Sequence, residues 1–203
     1  MLVGISVGSE DLYRITPTAL ENSKFDGAEP PVGAGPDKVL SYIRQVRDTI
    51  KDTEFAKAPV GHVDTWSVWV DGANKDVVDA CDWIGFDGYP YWEKGNGNDI
   101  SNGRKLFKEA LDNTKAAAPG KEIWITETGW PTAGSTVGDA EASPDNAQQY
   151  WQDVGCSLFG ATNTWWFTLQ GIPEGSKDPS WGVLNASLDP EPIFELSCKG
   201  VKT

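Results

Sequence analysis

The sequence has little histidine, little cysteine and no long apolar run. His62 is the single histidine among 203 residues, and the three cysteines, Cys81, Cys156 and Cys198, lack the paired C-x-x-C spacing of structural zinc sites. We therefore expect no metal ion and no cofactor. No apolar stretch approaches the roughly 18 residues that a membrane-spanning helix needs, so we expect no membrane-spanning segment.

Basic residues are also scarce. The chain has 17 Lys and Arg against 30 Asp and Glu, which gives a formal net charge of −13. Nucleic acids are bound mainly through clustered Lys and Arg. The charge balance therefore argues against a nucleic-acid partner and favours a neutral or cationic ligand.

Tryptophan, in contrast, is abundant. The chain contains ten Trp, five Tyr and seven Phe. Most of these rings are expected to pack in a core. Flat apolar rings with a polar edge are also well suited to stack on the C–H faces of sugars, so a carbohydrate groove and simple core packing both remain open at this point.

Short apolar runs rich in β-branched residues alternate with helical patterns. The runs predict strands over residues 2–7, 59–63, 83–86, 122–126 and 163–169, and the patterns predict helices over 36–53, 74–80 and 102–117 and one that begins at Ser143-Pro144. Such alternation is typical of parallel βα units. A closed eight-stranded barrel needs about 250 residues, so five units indicate either a small open α/β sheet or five eighths of a (β/α)8 barrel.

Two glutamates stand at predicted strand ends, where parallel α/β proteins place their reactive groups. Glu10 follows the first strand and Glu127 ends the fourth. Each could simply cap a helix or pair with a base such as Arg14 or Lys105. Together they are the minimum apparatus for cleaving a glycosidic bond, because one carboxyl must donate a proton while the other attacks or stabilises the anomeric carbon.

A competing motif lies in the first strand. Residues 4–8 match G-x-S-x-G, the nucleophile elbow of α/β-hydrolases, with Ser6 as the nucleophile. The elbow normally follows several strands, and its histidine comes late in the chain, whereas here five residues precede Ser6 and His62 has 141 residues behind it. A glycine-spaced barrel strand is the preferred interpretation.

The chain resembles glycoside hydrolase family 17, and within it the fungal cell-wall glucan endo-1,3-β-glucosidases. The resemblance rests on Val-Gly-Ser-Glu-Asp-Leu-Tyr-Arg at residues 7–14 and Trp-Ile-Thr-Glu-Thr-Gly-Trp-Pro at residues 124–131. Gly-Tyr-Pro-Tyr at 88–91 and Asn-Thr-Trp-Trp-Phe at 163–167 fit the same pattern, so the resemblance covers essentially the whole chain.

This resemblance implies a (β/α)8 barrel of TIM type and retaining hydrolysis of internal bonds in β-1,3-glucan, with Glu10 as acid/base and Glu127 as nucleophile. The five predicted strands then correspond to strands four to eight, and residues 1–203 form a single, partial catalytic domain. Ser9 stands where the family often has an Asn that contacts the sugar 2-hydroxyl. Further sugar-binding residues expected from the strand ends are Asp64, Trp66, Tyr89, Tyr91 and Trp130, and Tyr89 is the candidate to hydrogen-bond the nucleophile.

The same resemblance implies an extracellular or cell-wall location, although we expect no signal peptide in this chain because no basic region precedes its first apolar run. Asn185-Ala186-Ser187 is an N-glycosylation sequon. Cys156 and Cys198 could form a disulfide, with Cys81 pairing outside this chain. We expect a monomer if the barrel is complete. The preferred acceptor, water or a sugar, stays open, and the alternative function is a truncated, non-catalytic chain that binds glucan or is inert.

Overall fold

The computed structural model describes residues 2–25, 31–176 and 178–198. Within these ranges the strands are β1 (Ile5–Ser9), β2 (Val60–Thr65), β3 (Trp83–Asp87), β4 (Glu122–Thr128) and β5 (Thr164–Trp166). The α-helices in the same ranges are α1 (Asp11–Arg14), α2 (Pro17–Phe25), α3 (Pro36–Ile50), α4 (Trp66–Trp69), α5 (Lys75–Ala80), α6 (Ile100–Ala117), α7 (Pro144–Tyr150) and α8 (Cys156–Leu158). Short 3₁₀ turns cover Gly72–Asn74 and Pro90–Trp92, and a π-helical turn covers Trp151–Gly155.

The strands form a sheet whose order follows the chain, β1-β2-β3-β4-β5, and the pairs β1–β2, β2–β3 and β4–β5 are parallel. Pairing of β2 with β3 is regular from Gly61 opposite Trp83 to Thr65 opposite Asp87. Consecutive parallel strands bring their carboxyl ends to one edge. All five predicted strands are present, in the parallel α/β arrangement that the sequence predicts.

The contacts divide the chain into two compact units. The first unit comprises Met1–Asp87 and Leu111–Trp124, and the second comprises Gly88–Ala110 and Ile125–Thr203. Strand β4 begins in the first unit and ends in the second. The assignment of residues 1–203 to a single domain stays a prediction.

In the first unit, helix α3 shows how the sequence specifies its elements. Gly35 is the N-cap and Pro36 occupies the first turn, where the missing N–H of proline costs nothing. Val39 and Ile43, four residues apart, lie on one face of the helix and are 2% and 1% exposed. The predicted helix over 36–53 is thus confirmed, although it ends at Ile50.

In the second unit, α7 begins as predicted at Ser143-Pro144, and the Ser143 hydroxyl accepts a hydrogen bond from the Asn146 N–H at 3.3 Å. The predicted pairing of Cys156 with Cys198 is confirmed, with the two Cα atoms 5.4 Å apart. Cys81, in the first unit, is a buried free thiol here, and burial raises its pKa to about 11.

Among the residues that the structure describes, no helix combines the length and the apolar character needed to cross a membrane.

Candidate active site

Glu10 lies at the carboxyl end of β1, in the turn that starts α1. Its backbone has left-handed angles, φ 55° and ψ 23°, which are uncommon for a residue with a Cβ. The Glu10 N–H donates to the Val63 carbonyl at 2.8 Å, which ties the turn to β2. The side chain is one quarter exposed.

Arg14, at the end of α1, also contacts the Glu10 turn, through the Ser9 carbonyl and the Glu10 side chain. One guanidinium nitrogen donates to the Ser9 carbonyl at 2.8 Å, and another lies 3.9 Å from Glu10 Oε2. Both side chains are partly exposed, so the ion pair contributes little energy. Its effect is to restrict the positions that the Glu10 carboxyl can adopt.

Glycine is required two residues before Glu10. Gly8 has φ +84°, and a Cβ there would collide with the Asp11 carboxylate. β1 is irregular between Ser6 and Ser9 at this point. The Gly-Ser-Glu motif therefore encodes the turn that presents Glu10.

Asp64 lies near the end of β2 but does not face solvent. It is fully buried; its Oδ2 accepts from the Leu12 N–H at 2.9 Å and its Oδ1 from the Thr65 N–H at 2.8 Å. The sugar contact predicted for Asp64 is therefore replaced by a structural role. Trp66, two residues further on, is half-buried.

The competing esterase motif is not assembled. Ser6 donates its hydroxyl proton to the Gly8 carbonyl at 2.9 Å. The two ring nitrogens of His62 lie against the Val7 carbonyl and the Asp64 carboxylate. Neither nitrogen is placed to activate Ser6.

In the second unit, Glu127 lies near the carboxyl end of β4 and Tyr89 holds its side chain. The Tyr89 hydroxyl donates to Glu127 Oε2 at 2.7 Å. The Gly88 N–H donates to the Glu127 carbonyl at 3.0 Å, so backbone and side chain are both fixed by adjacent residues. The predicted partnership of Tyr89 with Glu127 is thus present in the structure.

Aromatic packing fixes the Tyr89 ring. Its centroid lies 5.0 Å from that of Trp181 and 6.0 Å from that of Phe167, both in edge-to-face geometry. Gly129 lets β4 approach the segment after β5, because a Cβ at this position would collide with the Phe167 carbonyl oxygen. The Thr-Gly-Trp sequence after Glu127 thus serves close packing around the site.

A buried pair of hydroxyl groups, from Thr128 and Tyr150, fixes the end of β4 directly after Glu127. Thr128 donates its hydroxyl proton to the Gly88 carbonyl at 2.9 Å, so Tyr150, whose hydroxyl lies 3.0 Å from Thr128 Oγ1, must donate to that oxygen. Burial raises the pKa of Tyr150, which keeps it protonated as a donor.

Tyr91 and Trp130 are core residues in the second unit. They are 1% and 0% exposed. The Tyr91 hydroxyl donates to the Ser135 carbonyl, and the Trp130 indole N–H donates to the Glu141 carbonyl at 2.8 Å. Both rings therefore anchor the loop after β4, and the sugar contacts predicted for them are not retained because neither ring offers an exposed face.

Two exposed aromatic rings were not expected from the sequence. Trp92 is 48% exposed and Phe167 is 37% exposed, and both contact Trp181, with centroid distances of 6.0 Å and 6.1 Å. Trp92 directly follows the Gly-Tyr-Pro-Tyr motif, and this position could have marked it as a candidate sugar-binding residue. These rings are better placed than Tyr91 or Trp130 to stack on a sugar.

The second unit also contains a cleft of about 830 Å³. It is bordered by Thr132, Gly134, Glu174, Ser180 and Asn185 among others. Asn185 belongs to the sequon, and its amide donates to Asp189 Oδ2 at 2.6 Å.

Comparison with known proteins identifies the family. The model of the BtgE/BtgC glycoside hydrolase domain matches residues 1–182. A relative named probable glucan endo-1,3-β-glucosidase, from Aspergillus fumigatus, is 50% identical over 200 residues, which are 98% of this chain and 43% of that protein. The chain thus spans less than half the length of this relative.

Solved structures confirm the predicted α/β fold of TIM-barrel type. A glycoside hydrolase family 17 β-1,3-glucanosyltransferase from Rhizomucor miehei superposes with a TM-score of 0.76 at 26% identity, over 96% of this chain and 64% of that one. An active-site mutant of the R. miehei β-1,3-glucanosyltransferase in complex with laminaritriose gives 0.70 at 23% identity, over 96% and 75%. The family resemblance inferred from the two glutamate motifs is confirmed. The chain belongs to the BtgE/BtgC glycoside hydrolase domain family.

Proposed function

We propose that this protein hydrolyses internal β-1,3-glucosidic bonds of cell-wall glucan with retention of configuration, with Glu127 as nucleophile and Glu10 as acid/base. The names of its relatives support the substrate class. The observation that carries the assignment is the 2.7 Å hydrogen bond from Tyr89 to Glu127. Because the hydroxyl donates, Oε2 must accept, which suits an ionised carboxylate with its second oxygen left for attack.

In the first step, an oxygen of Glu127 attacks the anomeric carbon and the glycosidic C–O bond breaks. Glu10 transfers its proton to the departing sugar oxygen. The product is a glycosyl ester on Glu127 together with a shortened glucan.

In the second step, the Glu10 carboxylate removes a proton from water, whose oxygen attacks the anomeric carbon and releases Glu127. A sugar hydroxyl in place of water gives transglycosylation. Two inversions at one carbon restore the original β configuration.

Accessible groups supply the proposed sugar contacts. Ser9 is exposed beside Glu10, and Trp66 is partly exposed after β2. In the second unit, Trp92 and Phe167 present aromatic faces that can stack on glucose rings. An extracellular location is part of the proposal, supported by the Cys156–Cys198 disulfide, since such bonds persist in oxidising compartments.

The test is incubation of the purified protein with laminarin. New reducing ends are quantified with a colorimetric reducing-sugar assay, and proton NMR shows which anomer forms first. We expect new reducing ends, formed first as the β anomer. Formation of the α anomer first would contradict retention. Binding to insoluble glucan without any release of reducing ends would instead favour the non-catalytic alternative.

Replacing Tyr89 with phenylalanine is expected to lower kcat/KM on laminarin about 10- to 100-fold. The change removes one hydrogen bond to a charged group, worth about 1.5–3 kcal/mol, and leaves the ring to pack on Trp181. The control is Tyr42→Phe on α3, whose side chain is exposed. Equal activity of the two variants would show that the Tyr89 hydroxyl does not act on Glu127 during the reaction.

A further inference from the structure

His62 and Asp64 form a fully buried pair in β2 that the proposed mechanism does not use. Both are 0% exposed. His62 Nε2 lies 3.1 Å from Asp64 Oδ2, and His62 Nδ1 lies 2.6 Å from the Val7 carbonyl oxygen. The imidazole of His62 therefore lies between the Val7 carbonyl of β1 and the Asp64 carboxylate of β2.

The contacts determine where the protons lie. A carbonyl oxygen can only accept, so Nδ1 carries a proton. The Asp64 oxygens already accept from the N–H groups of Leu12 and Thr65. Two N–H donors on the carboxyl oxygens suit an ionised carboxylate, and the proton between the two side chains then lies on Nε2, so that both ring nitrogens of His62 donate.

A second carboxylate lies near the ring. A Cβ built on Gly8 would touch Asp11 Oδ2 and would lie 3.4 Å from His62 Cε1. The Asp11 carboxylate and the imidazole edge thus both border Gly8, the residue that starts the Glu10 turn. Cys81, whose thiol also lies near the His62 backbone, stays uncharged because burial raises its pKa to about 11.

The pair holds the Glu10 turn at both ends. His62 binds the carbonyl of Val7, three residues before Glu10, and Asp64 binds the N–H of Leu12, two residues after it. Between them in β2, Val63 accepts the Glu10 N–H at 2.8 Å. A left-handed backbone at Glu10 persists only where its surroundings impose it, and these three consecutive residues do so.

We propose that His62 and Asp64 are positioning residues for Glu10, acting as a buried imidazolium–carboxylate pair that fixes the turn presenting its carboxyl group. This role rests on the proposed function, because Glu10 must be the acid/base for its position to affect the rate. Neither side chain contacts the substrate.

The charge state is tested by nitrogen-15 NMR of the imidazole. His62 is the only histidine in the chain, so its two ring nitrogens are assigned without ambiguity. We expect both to resonate as protonated nitrogens at neutral pH. In Asp64→Asn the amide N–H₂ can donate to Nε2, so that nitrogen is expected to become unprotonated. A native spectrum with one unprotonated nitrogen would overturn the proposed pair.

The positioning role is tested by kinetics on laminarin. His62→Gln and Asp64→Asn are each expected to lower kcat roughly 10- to 100-fold, as expected when a catalytic group is displaced by about 1 Å, while KM changes less than about twofold because no substrate contact is lost. The control is Val77→Ala, a fully buried position on α5, which is expected to reduce thermal stability without changing kcat.

The outcomes separate this inference from the proposed function. A folded Asp64→Asn protein with the kcat of Val77→Ala would overturn the positioning role. A native protein that shows the expected imidazolium but no glucan cleavage would overturn the proposed function and, with it, the role of the pair in catalysis, while the charge state would stand.

Discussion

Replacing Glu127 with alanine is expected to lower kcat on laminarin roughly 10⁴-fold or more, because the proposed mechanism assigns formation of the glycosyl ester to this carboxylate alone. Sodium azide is expected to restore turnover by this variant of an aryl β-glycoside of a β-1,3-linked glucose oligosaccharide. Azide is small enough to occupy the space of the lost carboxylate and attacks from the same side. The product is therefore an α-glycosyl azide, which is identified by NMR.

The matched control for this variant is Glu122→Ala. Glu122 begins the same strand and is exposed, so its loss is expected to change kcat less than about twofold. A β-glycosyl azide from Glu127→Ala, or full activity without azide, would contradict the nucleophile assignment.

Replacing Glu10 with alanine is expected to lower kcat on laminarin by about 10²- to 10⁴-fold, the range of general acid–base catalysis. A substrate with a dinitrophenyl leaving group needs no proton, so its first step is expected to stay fast while the glycosyl ester accumulates. Azide then attacks that ester from the face that water would use. The expected product is a β-glycosyl azide, the opposite of that from Glu127→Ala.

Glu21→Ala is the control for Glu10, since Glu21 is an exposed glutamate on α2 of the same unit. It is expected to behave as the native protein. If the Glu10 variant were equally slow on activated and unactivated substrates and gave no azide adduct, Glu10 would not be the acid/base.

The strands could be predicted from sequence because each is a short run of β-branched and aromatic residues. The residue at which each strand ends could not be predicted. β2 and β4 extend to Thr65 and Thr128, two residues beyond the predicted ends, because polar side chains there are paired rather than exposed. Thr128, for example, is fully buried and donates to the Gly88 carbonyl. Local polarity therefore predicts a loop where the fold continues a strand.

Short helices escaped prediction for a different reason. α1 and α4 have four residues each, about one turn, which is too short to show a helical period. α1 is instead held by tertiary contacts, such as the bond from the Leu12 N–H to Asp64. No local signal in residues 11–14 encodes that contact.

The site could be predicted in part. Glu10 and Glu127 are predicted from the sequence because a charged residue at the end of a buried strand is costly unless it is paired or used, and Tyr89 is predicted because it follows the third strand. Asp64, Tyr91 and Trp130 stand at equally suggestive positions, yet their polar atoms bind protein groups. Residue type alone does not distinguish a side chain that awaits a ligand from one that already has a partner. A histidine and an aspartate at i and i+2 on one strand were the available signal for the buried pair.

The most direct measurement is covalent trapping with a 2-deoxy-2-fluoro-β-laminaribiosyl fluoride, which forms the glycosyl ester but slows its hydrolysis. Mass spectrometry of the digested protein is expected to show one label per chain, on the peptide that contains Glu127, and laminarin is expected to protect against labelling. A label on another residue, or laminarin cleavage with retention by a protein that takes up no label, would contradict this account.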